Sequence, residues 1–328
     1  MGSQMSGLSG NGRRAPAVYA GMRIALAWGL LASSVAATSC VVNVDSQALI
    51  EREEKRFSVK GTPNLRLSTF DGAIEVRSWD RPDVLVEIEK RGPTREAVDG
   101  LVVQVEQDGN KIAVEVKRPK SETLSGLGFH RSASAKLIVS VPQSSDVAAR
   151  SGDGSIRIER VTGRLDLNTG DGTIRASEVD GVMTLHTGDG SVHVDNGRGQ
   201  IDVDTGDGSV EVSGNLTAVK LHTGDGSIVF RGDSRLVMSD DWDISTGDGS
   251  VTMYLPPDFG AELDARTSDG GIRNELRVAS QAEAEEDASA RRHDPDENSR
   301  RAVRGRIGGG GKLLKIRTGD GSIRLRAS

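Results

Sequence analysis

Two consecutive 18-residue units, LDLNTGDGTIRASEVDGV (residues 165–182) and MTLHTGDGSVHVDNGRGQ (residues 183–200), decide the fold of this chain. Both carry the phrase Thr-Gly-Asp-Gly at the same place, with apolar residues at alternating positions on either side of it. Self-similarity at a fixed period means that each unit buries its apolar side chains against its neighbours. The sequence therefore predicts a stack of repeated units.

The Thr-Gly-Asp-Gly phrase recurs far beyond these two units. Its Asp falls every 18 residues and then in looser copies, with a degenerate copy at Asp71 and the others at Asp153, Asp171, Asp189, Asp207, Asp225, Asp248, Asp269 and Asp320. Gly tolerates positive φ and Asp bonds to nearby backbone groups, so the phrase predicts a tight turn. We interpret all copies except Asp71 and Asp269 as structural repeat turns that also offer a candidate ligand-facing surface.

Short pairs of apolar residues lie nine residues apart, for example Leu165/Leu167, Ile174/Ala176 and Met183/Leu185. Alternation of apolar and polar residues predicts half-buried strands whose polar side chains face water. An antiparallel meander fits this pattern, and so does a parallel β-solenoid whose equivalent residues stack at about 4.8 Å per coil. We favour the solenoid because identical turns at every second strand are needed by stacked coils and not by a meander.

A stacked column of Asp side chains has an electrostatic cost. Neighbouring carboxylates would repel by about 0.9 kcal/mol at the dielectric constant of water. We expect each Asp side chain to offset this repulsion by accepting N–H bonds from its own turn.

The nine-residue spacing continues in weaker form on both sides of the regular repeats. We therefore predict one all-β domain over residues 57–328, a β-solenoid with coils of about 18 residues. Its parts would be irregular, wider coils over 57–146, regular repeats over 147–278, a disordered charged insertion over 280–306 and a final coil over 307–328.

The N-terminal segment is typical of an export signal. Met22-Arg23 gives a positive start, and the apolar run over residues 24–37 is too short to span a bilayer comfortably. Cys40, the only cysteine, ends Ala37-Thr38-Ser39-Cys40, which resembles a bacterial lipobox. We predict a signal peptide over residues 1–40, lipidation of Cys40, a polar tether over 41–56 and an outer-membrane destination. The alternative is a periplasmic protein with an incidental cysteine.

Composition narrows the function. The net charge of −6 leaves no broad basic stripe, which argues against a nucleic-acid partner. Only 3% of the residues are aromatic, so the core is expected to be thin and built from Val, Ile and Leu. A single cysteine excludes a disulfide framework, so the body depends on its packing.

The lipobox-like signal, the TGDGSI coils and the ending GRIGGGGKLLKIRTGDGSIRL (residues 305–325) together resemble the bacterial DUF4097 family of adhesin-like, Toastrack-related proteins. The resemblance covers residues 57–328. It implies a right-handed β-solenoid, a location in the cell envelope and no established catalytic residues.

Two features of the repeats have residue types that bind metal ions. Calcium rolls carry Asp in both half-coils, whereas only alternate turns carry it here, which favours structural turns over a calcium-binding repeat protein. An in-register solenoid would also place His186, Asp204 and His222 in one outward column with the side chains that zinc prefers. Such a column on a flat, wet face converges poorly, so solvated surface residues are the favoured interpretation and no cofactor is expected.

Other chemistry has less support. A phosphate loop ending at Lys312 would need Gly where Arg306 stands and Ser or Thr where Leu313 stands. A polysaccharide-active β-helix enzyme would need acidic residues in a walled groove. We therefore predict a non-catalytic envelope module that binds a polymer or protein partner, with membrane contact through lipid and no small-molecule substrate. An accessory role in sensing envelope stress is the alternative.

Overall fold

The computed structural model describes residues 49–118, 133–276, 278–280 and 301–328, all within one compact unit. The predicted signal peptide (1–40), Cys40 and most of the tether lie outside these residues. In the described part, no helix has the length and apolar character needed to cross a membrane.

The described residues form one short helix, α1 (Arg95–Asp99), and many strands. The strands are β1 (Leu49–Ser58), β2 (Asn64–Thr69), β3 (Ile74–Trp79), β4 (Asp83–Gly92), β5 (Val102–Asp108), β6 (Lys111–Lys117), β7 (Ser134–Pro142), β8 (Asp146–Ser151), β9 (Ile156–Glu159), β10 (Thr162–Thr169), β11 (Ile174–Ser177), β12 (Asp180–Thr187), β13 (Val192–Thr205), β14 (Val210–Thr223), β15 (Ile228–Gly232), β16 (Trp242–Thr246), β17 (Val251–Leu255), β18 (Ala261–Thr267), β19 (Ile272–Asn274), β20 (Val278–Ser280), β21 (Ala302–Ile307), β22 (Leu313–Thr318) and β23 (Ile323–Ala327). The all-β class is confirmed.

The regular repeats pair in parallel with equivalent positions in register. In β10 and β12, Leu165 lies opposite Met183 and Thr169 opposite Thr187, a shift of 18 residues. The same shift joins β11 to β13 and β12 to β13. An antiparallel meander is therefore wrong for these residues, and the spacing of the turns predicted their stacking correctly.

Each repeat contributes one strand to each of two faces. The first face contains β6, β2, β8, β10, β12, the second halves of β13 and β14, β16, β22 and β18. The second face contains β7, β3, β9, β11, the first halves of β13 and β14, β15, β17, β23 and β19. The Gly-Asp-Gly corner leads from the first face to the second, and a second corner leads back.

The core lies between the faces and is aliphatic along the repeats. Leu165 and Leu167 on the first face and Ile174 on the second are fully buried, while the alternate residues point outward. Aromatic side chains lie in the core near the two ends of the stack, with Phe57 buried at the N-terminal end and a cluster in the later coils. There Trp242 packs against Phe230 and Phe259, with ring centroids 5.0 and 5.7 Å away.

Both ends of the stack depart from parallel pairing. At the N-terminal end β4 pairs antiparallel with β1 and β7, and β5 pairs antiparallel with β6. At the other end β21 pairs antiparallel with β18 and β20. The prediction of one parallel solenoid over residues 57–328 is therefore wrong for these ends, where hairpins cover strands that parallel coils would leave open.

Two predicted boundaries are also corrected. Residues 49–56 of the expected tether belong to β1, because Glu53 and Glu51 pair with the buried Lys90 of β4 at 2.5 and 3.5 Å. Residues 302–306 of the expected insertion belong to β21, where Arg304 and Arg306 meet Asp264 and Glu262 of β18. Residues 281–300 lie outside the described part.

The last coil is inserted out of sequence order. β22 pairs with β16 on one side and β18 on the other, and β23 lies in the same way between β17 and β19. The coil formed by β18 and β19 is therefore displaced outward by the C-terminal residues of the chain. The predicted final coil (residues 307–328) therefore lies inside the stack, with the coil of β18 and β19 on its outer side.

Candidate functional site

Threonine hydroxyls join the Gly-Asp-Gly corners of successive coils by hydrogen bonds. The buried Thr187 hydroxyl lies 3.0 Å from the Gly170 carbonyl oxygen and 2.9 Å from that of Gly172, both in the preceding coil. Its equivalents bond to the adjacent coil in the same way, which for Thr267 is the later coil of β22 and β23: Thr169, Thr205, Thr223, Thr246, Thr267 and Thr318. Some of these hydroxyls also accept an N–H of their own turn, as Thr223 does from Gly226 at 3.2 Å.

The two glycines of each corner are required by the close approach of the coils. The Gly188 N–H donates to the Gly170 carbonyl at 2.5 Å. A Cβ added to Gly190 would come within 2.0 Å of the Gly172 carbonyl oxygen, and one added to Gly208 within 1.9 Å of that of Gly190. No side chain fits there, so backbone stacks directly on backbone.

The Asp side chains of these corners form an exposed row that we call the carboxylate ridge. It consists of Asp153, Asp171, Asp189, Asp207, Asp225, Asp248 and Asp320. Asp71 and Asp269 continue the row at its two ends, where Arg118 and Arg301 pair with them at 3.5 and 3.6 Å. Across the described residues, no ion pair or side-chain hydrogen bond involves the seven ridge carboxylates.

This arrangement corrects one expectation about the ridge. The Asp side chains do not accept N–H bonds from their own turns in the part of the chain that is described. The hydroxyl of the preceding Thr or Ser accepts a turn N–H instead, as in Thr246 with Gly249. The carboxylates are thus left pointing into solvent and available to a partner.

The predicted column of His186, Asp204 and His222 is in register, as expected from stacking. His186 Nδ1 lies 3.7 Å from Asp204 Oδ2, whereas His222 Nδ1 bonds to Ser245 Oγ at 3.0 Å. Within residues 49–118, 133–276, 278–280 and 301–328, no group of three or more His, Cys, Asp or Glu side chains is arranged to hold a metal ion. The column is a set of surface pairs.

A second outward column of the first face alternates in charge. Lys220 lies 3.3 Å from Asp202, and Lys315 lies 2.7 Å from Asp243. Asp264 ends the column, with Arg317 at 2.8 Å and Arg266 at 3.0 Å. Burial opposes ionisation of Asp264, but the hydrogen bonds from Arg317 and Arg266 outweigh it and hold the pKa of its carboxyl below the usual value. This column was not predicted from the sequence, although the alternation of charge at equivalent positions is visible in the repeats.

Several shallow grooves mark the surface of the described residues. One of about 490 Å³ lies between the first face and the β5–β6 hairpin, and another of about 500 Å³ lies at the second corner. Two more lie near the C-terminal coils, beside Met238 and beside Pro257. None of these four grooves contains a ridge carboxylate.

Comparison with known proteins gives one family match. Residues 64–326 match the family described as Toastrack DUF4097. None of the curated proteins compared matches the sequence.

Solved structures are similar to the chain at low sequence identity. A proposed cell adhesion protein from Clostridium sporogenes is 13% identical, with a TM-score of 0.30, over 85% of this chain and 100% of that one. A proposed lipid-binding protein from Parabacteroides distasonis is 12% identical, with a TM-score of 0.43, over 84% of this chain and 96% of that one. A proposed adhesin from Bacteroides fragilis is 11% identical, with a TM-score of 0.34, over 84% of this chain and 97% of that one.

Proposed function

Because the chain belongs to the Toastrack DUF4097 family, we propose that it is a non-catalytic binding module of the cell envelope, exported and held to a membrane by lipid at Cys40. Its repeat region would be a right-handed parallel β-solenoid that serves as a rigid support. The partner would be an envelope polymer or protein that engages the carboxylate ridge.

One observation carries this proposal: the seven ridge carboxylates are exposed and stacked, and no described residue pairs with them, whereas Arg118 and Arg301 neutralise the Asp residues at the two ends of the row. Identical groups repeat at about 4.8 Å along a stiff edge. A partner with repeated donors or positive charges can contact many of them at once, and such multivalent contact strengthens weak individual interactions.

The proposed anchor is consistent with where the body begins. Eight residues (41–48) separate Cys40 from β1, which starts at Leu49. Even a fully extended segment of that length reaches only about 30 Å. A lipid on Cys40 would therefore keep the body close to the membrane surface.

The ridge is tested by removing charge without changing shape. A variant with Asp171→Asn, Asp189→Asn, Asp207→Asn and Asp225→Asn is compared with a control that loses four exposed acids elsewhere. The side chains of these control acids pair with no described residue: Glu54→Gln, Glu96→Gln, Asp108→Asn and Asp258→Asn. Both are measured by co-sedimentation with isolated cell-wall sacculi and outer-membrane fragments. We expect the ridge variant to lose at least about tenfold in binding and the control to retain it. Equal binding by the two variants would contradict the proposal.

The anchor is tested separately. Cells grown with labelled palmitate should label the wild-type protein and not Cys40→Ala, which should be released from the membrane fraction. Unlabelled wild-type protein in the soluble fraction would support the alternative of a plain secretory signal.

A further inference from the structure

The second corner of the repeats holds a groove of about 500 Å³ that no sequence motif indicated. Trp79, at the end of β3, closes one end, and the second corners of three successive coils form its floor through Arg160, Glu178 and Asn196. This groove and the carboxylate ridge lie at different corners of each coil. The groove is therefore a second candidate site on the same body.

Three of its side chains are held on a strained backbone. Arg160, Glu178 and Asn196 have φ of 55°, 53° and 54°, and they are the only non-glycine residues with positive φ in the described part of the chain. This conformation costs roughly 1–2 kcal/mol for a residue with a Cβ, and Gly avoids that cost. Strain that recurs at one position in three coils is typical of residues kept for their side chains.

The charged side chains that line the groove are not bonded to other described residues. The side chains of Arg160, Glu178, Asp180 and Arg198 make no ion pair and no hydrogen bond with any described residue. Opposite charges therefore line one groove without neutralising each other. Their guanidinium and carboxylate groups are free to bond to a ligand.

Trp79 supplies a fixed apolar surface beside these groups. Its indole N–H donates to the Asp83 carbonyl at 2.8 Å, which sets the orientation of the ring. The guanidinium groups of Arg81 and Arg56 lie over the ring, 5.1 and 5.8 Å from its centroid, and supply donors there. A ligand would pack on the part of the half-buried ring that they leave exposed. An aromatic ring beside planar polar side chains suits a ligand with both C–H faces and hydroxyl edges.

We propose that this groove binds a neutral oligosaccharide. Sugar C–H groups would pack on Trp79, while Arg160, Glu178 and Asn196 would bond to hydroxyls along the chain. Acidic and basic side chains are nearly balanced in the groove, which favours an uncharged ligand over a polyanion. Three coils span about 10 Å, the length of two linked sugar rings. The site goes beyond the proposed function of the ridge, and its failure would leave the ridge experiment unaffected.

Intrinsic fluorescence gives a local readout. Among the described residues the tryptophans are Trp79, which is half-buried at the groove, and Trp242, which is buried in the core. The full-length protein is titrated with chitotetraose and with cellotetraose, and affinity is confirmed by calorimetry. We expect a saturable change in emission with a midpoint below about 1 mM for at least one of them. Trp79→Phe should lose the emission change while retaining the binding heat.

The test variants are placed at residues whose φ is positive, where glycine is the favoured residue. Arg160→Gly and Glu178→Gly remove side chains at positions where Gly relieves strain, so both proteins should fold at least as well as the wild type. Each is expected to bind about fivefold more weakly, the effect of one lost hydrogen bond. The control is Arg175→Ala, which removes an exposed, unpaired side chain from the second face and should bind normally.

Three results would overturn the proposal. One is no saturable response to either neutral oligosaccharide up to about 10 mM. Another is tighter binding of tetragalacturonate than of both neutral sugars, which would identify an anion site. The third is equal loss of affinity in Arg175→Ala and Arg160→Gly.

Discussion

Threonine, rather than aspartate, is the residue that joins successive coils at the Gly-Asp-Gly corner. Its hydroxyl is buried and reaches two carbonyls of the coil below, whereas the Asp side chain extends into solvent. The sequence predicted the turn correctly because Gly-Asp-Gly is a strong local signal. It could not assign the hydrogen bonds, because those depend on the neighbouring coil, which lies 18 residues away.

Replacing this threonine should destabilise the stack. Thr205→Val keeps the shape but removes the hydroxyl that lies 3.1 and 3.0 Å from the Gly188 and Gly190 carbonyl oxygens. Leaving these groups without their donor should lower the free energy of unfolding by about 1–3 kcal/mol in urea denaturation. Thr184→Val, an exposed threonine in β12, is the control and should change stability by less than about 0.5 kcal/mol. Equal effects would mean that the buried hydroxyl is dispensable.

The corner glycines should tolerate substitution even less. In Gly208→Ala the new Cβ would lie 1.9 Å from the Gly190 carbonyl oxygen, so the two coils must separate. We expect a loss of at least about 3 kcal/mol in unfolding free energy, or failure to fold. Gly271→Ala is the matched control, because a Cβ there meets nothing within 4 Å. A stable Gly208→Ala protein with an unchanged melting temperature would show that the corner is more pliable than this contact implies.

At the scale of the strand, charge specifies which coils are neighbours. Lys315 of β22 lies in register between Asp243 of β16 and Asp264 of β18. Without β22, the two carboxylates would be brought face to face, which is destabilising for directly opposed like charges. The apolar pattern could not predict this order, since every coil offers its neighbour nearly the same apolar face. The order of the coils is instead specified by the charges of the outward-facing side chains.

The carboxyl of Asp264 should make this region sensitive to acid. Hydrogen bonds from Arg317 and Arg266 lower its pKa in the folded state despite the opposing effect of burial. A lowered folded pKa gives stability that is fully present above the unfolded pKa, near 4, and is lost as the pH falls through the folded pKa. Asp264→Asn should therefore be less stable than the wild type by about 1–2 kcal/mol at pH 7.

That difference should shrink as the pH is lowered and vanish once Asp264 is protonated in the folded protein. Thermal melts of the two proteins between pH 7 and pH 2 would measure it. A constant difference across this range would show that the Asn substitution acts through packing and not through charge.

At the scale of the whole molecule, the sequence pattern predicts the pairing of the central repeats well and the strand pairing at the two ends poorly. The register of Leu165 with Met183 follows directly from the spacing of the turns. The antiparallel pairing of β1 with β4 does not, because the β1 sequence LIEREEKRFS is mostly charged and suggested a tether. Those charges are instead used at an edge strand, where they discourage pairing with other chains and neutralise Lys90.

Removing the inserted coil should unfold only one end of the molecule. A chain ending at Gly311 lacks β22 and β23, so β18 and β19 lose their parallel partners. We expect amide hydrogen exchange to show lost protection in β16–β19 and retained protection in β10–β13, since repeats contact mainly their neighbours. A chain ending at Arg326, which keeps β22 and nearly all of β23, is the control. Full protection of β18 in the shorter chain would contradict this assignment.

The out-of-order coil also determines the order in which the strands of this end can pair. Residues 313–327 are synthesised after residues 261–274, yet their place lies between those residues and the strands β16 and β17. Until they arrive, the edges of β16 and β17 stay open, and residues 261–274 have no settled position. Closure of the stack therefore requires residues 313–327, and a product terminated before them would carry an unpaired strand edge.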